Sequence, residues 1–171
     1  YADMKIRNRA YPGYSNVELI NASGTNFSAG SFTSIYTPLS PSITSVSSST
    51  ANGSYGIGDL INISVVFSTT VNVVTTGGTP VLELETGDTD RTANYSSGTG
   101  TNTLNFIYTV QEGDNSNDLD FTGTSALILD GGTIKASTGA ANNANLMLFS
   151  PGSTNSLGDN KAFVVDGGRP T

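Results

Sequence analysis

The sequence predicts an all-β sandwich, and three observations predict it. Short apolar or alternating runs recur along most of the chain, separated by clusters of turn residues. Gly, Ser, Thr and Asn are plentiful while charged residues make up only 12% of the chain, the profile of a turn-rich protein whose surface is wetted by hydroxyls and amides. No window of about 11 residues carries the period of an amphipathic helix.

The elements follow from about residue 42 onward. Ile43–Val46 and Leu60–Phe67 run apolar or alternate, and Gly53, Gly56 and Gly58 break the chain between them. Val71–Val74 is a short β-branched stretch closed by Gly77-Gly78. In Pro80–Glu85, Val81, Leu82 and Leu84 stand against Glu83 and Glu85, and Arg91–Tyr95 follows the loop Gly87-Asp88-Thr89-Asp90. Thr103–Val110 puts Leu104, Phe106, Tyr108 and Val110 on one face at period two. Leu119–Phe121, Ala126–Leu129, Thr133–Lys135, Asn145–Phe149 and Ala162–Val165 complete the set. Roughly seven to nine short strands at this spacing describe an immunoglobulin-like sandwich with Greek-key connections.

A length of 171 residues suits one domain, or one domain and a fragment of another. The sandwich is expected over residues 41–171. Pro41 leads into the first strand and Pro170 stands after Asp166-Gly167-Gly168-Arg169, so a second copy of the unit is expected to begin near Pro170. Residues 1–40 differ. Lys5, Arg7 and Arg9 cluster there beside Tyr11-Pro12-Gly13-Tyr14, and two strand-like runs, Val17–Ile20 and Phe32–Tyr36, flank a polar loop. Forty residues are few for an independent core. This segment is expected to be the end of a preceding domain, a hairpin packed on the sandwich, or an oligomerisation element. The chain opens at Tyr1 without an initiator methionine, as a piece of a longer protein does.

Composition removes several functions. Seven basic residues against fourteen acidic ones give a net charge of −7, and so dispersed a positive charge cannot neutralise a row of phosphates, so no nucleic-acid partner is expected. There is no cysteine and no histidine. Disulfides, thiolate zinc sites, the usual serine triad and nearly all transition-metal centres are therefore excluded. A metal here must be a hard cation held by oxygen, calcium first. Apolar runs are only a few residues long, so membrane insertion is not expected.

The succession YGIGDLINISVVFS, GTPVLELETG, ANYSSGTGTNTLNFIYTVQEGDNSNDLDF, TSALILDGGTIK and SPGSTNSLGDNKAFVVDG resembles a bacterial immunoglobulin-like repeat, over roughly residues 42–168. Such units occur in tandem in very long surface proteins and adhesins. The resemblance implies secretion or attachment at the cell surface, neighbouring repeats of the same chain as partners, an extended stalk or fibre, and often calcium within or between modules. One block departs: where the family carries an aspartate after TIK, this chain has Ala136, and no metal ligand is carried over there.

The stretch GDNSNDLDF, residues 113–121, is the densest candidate for a site. Asp114, Ser116, Asp118 and Asp120 fall at every second position. An EF-hand loop needs glycine at its sixth position and glutamate at its twelfth, where Leu119 and Ser125 stand, so that reading is rejected. In an extended segment the four oxygens would share one side and join a second loop, Asp88 and Asp90 or Asp59, in a calcium site. The plainer reading is an Asx turn at Gly113-Asp114-Asn115, with Leu119 and Phe121 anchoring a corner of the sandwich. Asp88 and Asp90 read as a hairpin turn with Arg91 as local charge partner. Glu83 and Glu85 share a strand face, but solvation explains them better than a glycosidase pair does. Lys135 and Lys161 show no partner for an intramolecular crosslink.

For ligand contact, Tyr11, Tyr14 and Tyr36 with Arg7 and Arg9 are candidates to stack on a cell-surface glycan or meet a protein partner; packing on a neighbouring sheet is the simpler role. The expectation is a non-enzymatic, extracellular module of a fibre or adhesin. Two alternatives stand beside it: a glycan- or protein-binding fibre tip that uses residues 1–40, as a monomer or a homo-oligomer, and an accessory module of a secreted enzyme.

Overall fold

The computed structural model describes the backbone of residues 5–11 and 14–20, and residues 40–168 with their side chains. Two compact units divide the chain, Tyr1–Thr37 and Pro38–Thr171. In the first, β1 (Lys5–Tyr11) and β2 (Tyr14–Ile20) form an antiparallel pair with Lys5 opposite Ile20 and Tyr11 opposite Tyr14. The expected run Val17–Ile20 belongs to β2, whereas Phe32–Tyr36 lies outside the described residues.

The second unit is an all-β sandwich. Its strands are β3 (Ile43–Ser48), β4 (Gly53–Gly56), β5 (Leu60–Val74), β6 (Val81–Leu84), β7 (Arg91–Ser97), β8 (Thr101–Thr109), β9 (Asn115–Ser116), β10 (Leu127–Ile128), β11 (Thr133–Ala136) and β12 (Phe163–Asp166). One large, curled antiparallel sheet runs β10-β6-β7-β8-β5-β11, with β3 also paired to β5. The smaller sheet runs β4-β12-β9, with β12 parallel to β4 and antiparallel to β9. Within the large sheet, β6, β7 and β8 are consecutive neighbours and β5 lies beside β8. That order is the Greek key expected from the strand spacing.

Strand β5 organises the large sheet. The sequence reads as two strands there, but the structure has one of 15 residues, irregular in register between Val66 and Val71. On one edge β5 pairs β3 through residues 63–67 and then β11 through residues 71–74. The bulge between them lets a single strand serve two successive partners, which is how a sheet bends without losing its ladder. Gly53–Gly56, expected only as a break, forms β4, because parallel pairing with β12 satisfies its backbone. Conversely, Asn145–Phe149 and Leu119–Phe121 form no strand and contribute isolated bridges at Asn145 and Phe121. The one helix among the described residues, α1 (Leu157–Asn160), is four residues long and capped by the buried Ser156. None is long and apolar enough to cross a membrane.

A single core joins the two sheets. Ile61, Ile63, Val65 and Phe67 alternate into it from β5, and Leu104, Phe106 and Tyr108 from β8. Phe163 and Val165 face them from β12, and Tyr55 meets Phe163 edge-on with ring centroids 5.6 Å apart. Leu119 and Phe121 are fully buried, as the corner reading requires. Two glycine turns meet at the end of β5. A Cβ on Gly78 would stand 1.6 Å from the Asp130 carbonyl oxygen, and one on Gly131 would stand 2.4 Å from that of Gly77. Backbone thus packs directly on backbone, which only glycine permits.

Candidate functional site

The two ends of GDNSNDLDF fold into two different polar sites, and neither is the shared carboxylate face expected from period two. Only Asn115–Ser116 is a strand, paired to β12, and the chain turns after it. As a result Asp114 and Asp120 are buried while Asp118 is exposed. Leu119, Asp120 and Phe121 are all buried in succession, so the stretch does not present one dry and one wet face.

Asp114 is 2% exposed and fully engaged. Its Oδ1 accepts a 2.7 Å hydrogen bond from Arg91 Nε, which is also an ion pair. Its Oδ2 accepts from the Tyr108 hydroxyl at 2.6 Å and from the Gln111 backbone N–H at 2.7 Å. The Gln111 bond is local, but it runs back three residues instead of two residues on as in the expected Asx turn; the other two come from β7 and β8. Arg91 therefore pairs with Asp114, and its expected partners Asp88 and Asp90 are exposed. Burial points the correction: a carboxylate sealed from water needs a cation or several hydrogen-bond donors to replace its hydration, and exposed ones do not. Burial alone would raise the Asp114 pKa, but the hydrogen bonds from Tyr108, Arg91 and Gln111 outweigh it and hold the carboxyl below its usual range. For Tyr108, burial and then the Asp114 carboxylate push the hydroxyl far above the ordinary phenol range, against a smaller opposing effect of Arg91.

The same turn grips the end of β12. Gly167 donates its N–H to the Asp114 carbonyl at 2.6 Å, and Gly113 donates to the Gly167 carbonyl at 3.0 Å. A Cβ on Gly167 would lie 2.1 Å from the Gln111 carbonyl oxygen, so this close approach requires glycine.

Asp120 is a capping group. Its Oδ1 accepts from the backbone N–H of Phe121 and of Leu157, and its Oδ2 from that of Gly152, at 2.9, 3.2 and 2.9 Å. It thereby pins the 150–160 segment and the start of α1 to the core. A Cβ at Gly158 would stand 3.0 Å from Asp120 Oδ2 and 3.4 Å from Asp118 Oδ2, so these two carboxylates approach one backbone position. Among the described residues, no three acidic side chains gather as a metal cluster. The five candidate ligands thus divide into an ion-paired Asp114, a capping Asp120, and exposed Asp88, Asp90 and Asp118. Asp59, Asp159 and Asp166 are likewise exposed and cap the N–H groups of Gly56, Asn155 and Gly168.

Glu83 is half-buried and accepts from the Thr122 hydroxyl, and Glu85 accepts from the Gly87 N–H. Both are used by neighbouring turns. Lys161 lies over the Phe163 ring, 5.4 Å from its centroid. On the first unit, the β1–β2 register sets Arg7 opposite Glu18, Arg9 opposite Asn16 and Tyr11 opposite Tyr14, while Tyr36 lies outside the described residues. A shallow open cavity of about 240 Å³ on the large sheet is lined by uncharged residues, including Leu60, Asn62, Asn105 and Ile107. Sequence reasoning missed Tyr108 and Arg91 as partners of Asp114. The available signal was a tyrosine on the inward period of β8, because a buried phenol needs an acceptor.

Comparison with protein-family models, with curated proteins and with solved structures gives no match to this chain.

Proposed function

We propose that the chain is a non-enzymatic structural module of a secreted or surface-attached fibre or adhesin, whose sandwich carries load from one end to the other. The observation that supports this reading is where the chain enters and leaves the sandwich. At entry, Ser42 accepts from the Ser68 N–H and Ile43 pairs with Phe67. At exit, Gly167 is bonded to Gly113 and Asp114, beside the pairing of Leu60 with Thr109. Entry and exit thus stand at opposite ends of the 60–67 span of β5, about 23 Å apart at the strand rise.

The direction of the terminal strands adds to this. Strand β3 runs from the entry pole toward the exit, antiparallel to β5, and β12 runs toward the exit, parallel to β4. Tension between the poles pulls each strand along its own axis, so its ladder bonds share the load and must fail together. Pulling across the sheet would open them one at a time, each holding only about 1 kcal/mol net. Modules with this polarity can be strung in line with like neighbours, and a low-charge hydroxyl and amide surface keeps them soluble without recruiting charged partners.

Force spectroscopy tests the proposal, and the absence of cysteine makes thiol handles site-specific. Handles at Ser40→Cys and Thr171→Cys load the sandwich along its axis. Handles at Ile128→Cys and Lys135→Cys load β10 and β11, the outer strands of the large sheet, across it. Axial unfolding should need clearly the greater force. Equal or lower axial force, or glycan binding lost on mutating Tyr11 and Tyr14, would instead favour a tip that recognises ligand through the first unit.

A further inference from the structure

We infer that the Arg91–Asp114–Tyr108 cluster is a force-bearing lock that ties the exit strand β12 to the large sheet. The inference rests on the load-bearing reading and assigns where the load is held. Tension arriving at Gly168 meets first the two bonds that join Gly167 to the 113–114 turn, at 2.6 and 3.0 Å. That turn has little holding power of its own. Asp114 N–H reaches Gln111 O at 3.3 Å, and Gly113 has open space around its Cα.

The turn is fixed by the Asp114 side chain, beside the Asn115 N–H, which donates to the Thr86 carbonyl at 2.8 Å, and Arg91, which donates to the Glu112 carbonyl at 3.4 Å. The Asp114 carboxylate is anchored to Tyr108 on β8 and Arg91 on β7 at 2.6 and 2.7 Å. Both strands belong to the large sheet, whereas β12 belongs to the small one. One residue therefore carries the exit strand on its backbone carbonyl and the opposite layer on its carboxylate. Pulling β12 outward drags Asp114 away from two donors, one of them a guanidinium. Charge-assisted bonds in a dry site resist that separation more strongly than neutral ones. The Asp120 cap is no substitute: its donors are Phe121, Gly152 and Leu157, none of them on β12 or the exit turn. Behind the lock, as seen by the load, come the pairings of Asp166 and Val165 with β9 and β4, and then Leu119 N–H to Phe163 O at 3.0 Å.

The test holds the 171-residue chain at constant force in two geometries, through Ser40→Cys with either Thr171→Cys or Asp88→Cys. Asp88 is exposed in the loop before β7, near the exit pole, so the second geometry applies an axial load that bypasses β12. Tyr108→Phe and Asp114→Asn should each speed unfolding about tenfold in the first geometry and clearly less in the second. Ser156→Ala, which removes the α1 cap and lowers stability away from the lock, calibrates any general weakening. Equal acceleration in both geometries, or a Ser156→Ala effect as large as that of Tyr108→Phe in the first, overturns the lock and leaves the load-bearing reading standing. That reading fails separately if the unmodified core shows no axial advantage over transverse loading. Tyr108→Phe keeps ring and volume, so it reports on the lock even if Asp114→Asn does not fold.

Discussion

Asp114 and Asp120 stand six residues apart in one acidic stretch, and both are buried, at 2% and 7% exposure. Their environments differ in kind. Asp114 faces a guanidinium and a phenol from two strands, while Asp120 faces only backbone N–H groups, those of Phe121 and Gly152 and that of Leu157 at the start of α1. One neutralises charge with charge across two layers; the other supplies acceptors to loops that lack them. The lesson is that a buried carboxylate can serve either the tertiary contact between sheets or the backbone of a loop, and its donors reveal which.

Removing each carboxylate should separate the roles. Asp114→Ala leaves the Tyr108 hydroxyl and the Arg91 guanidinium without their acceptor, and a loss of about 3 kcal/mol is expected in denaturant unfolding. Asp120→Ala should cost about 2 kcal/mol. Its larger sign is local: hydrogen exchange at the Gly152 and Leu157 amides should rise well above that of the core strands. If the Gly152 and Leu157 amides stay protected, the capping role is wrong.

Acid offers a subtler contrast. The folded Asp114 carboxyl titrates below its ordinary value of 3.8. A depressed folded pKa contributes stability that is fully present above the unfolded value and is lost as pH falls through the folded one. The stability gap between the wild type and Asp114→Asn should therefore hold at neutral pH and close steadily below pH 3.8. A gap that stays constant down to strong acid would show that the ion pair is not what Asp114 contributes. Tyr108→Phe should lose about 1.5 kcal/mol, the value of one hydrogen bond to a charged acceptor. The smallest effect is expected from Arg91→Lys, about 0.5–1 kcal/mol, because a lysine can still approach Asp114 but cannot place a rigid Nε donor on Oδ1. That difference is measurable as a shift in denaturation midpoint.

Much of the fold is legible because it depends on local pattern. The period-two run Leu104, Phe106, Tyr108 needs no partner to declare which face is buried. The Gly77-Gly78 and Asp130-Gly131-Gly132 turns are equally plain from residue type, although their mutual packing is not. The merging of Leu60–Phe67 with Val71–Val74 was hidden, because Ser68-Thr69-Thr70 reads as a break until β3 and β11 supply partners on either side. The strand at Gly53–Gly56 was hidden for a related reason: two of its four residues are glycine, and parallel pairing with β12 creates it.

By itself, the sequence determined that this protein is an all-β sandwich without histidine or cysteine chemistry, since composition and side-chain alternation are properties of the chain alone. It also determined that Leu119 and Phe121 would go inside, as transfer from water drives them there in any compact state. Only the tertiary structure decided which aspartate meets Arg91, which caps a loop, and which stays in water. Those outcomes turn on burial and on donors 6 to 37 residues away in the chain. A carboxylate's role is set by what is left to solvate it once the sheets close, and no spacing within nine residues encodes that.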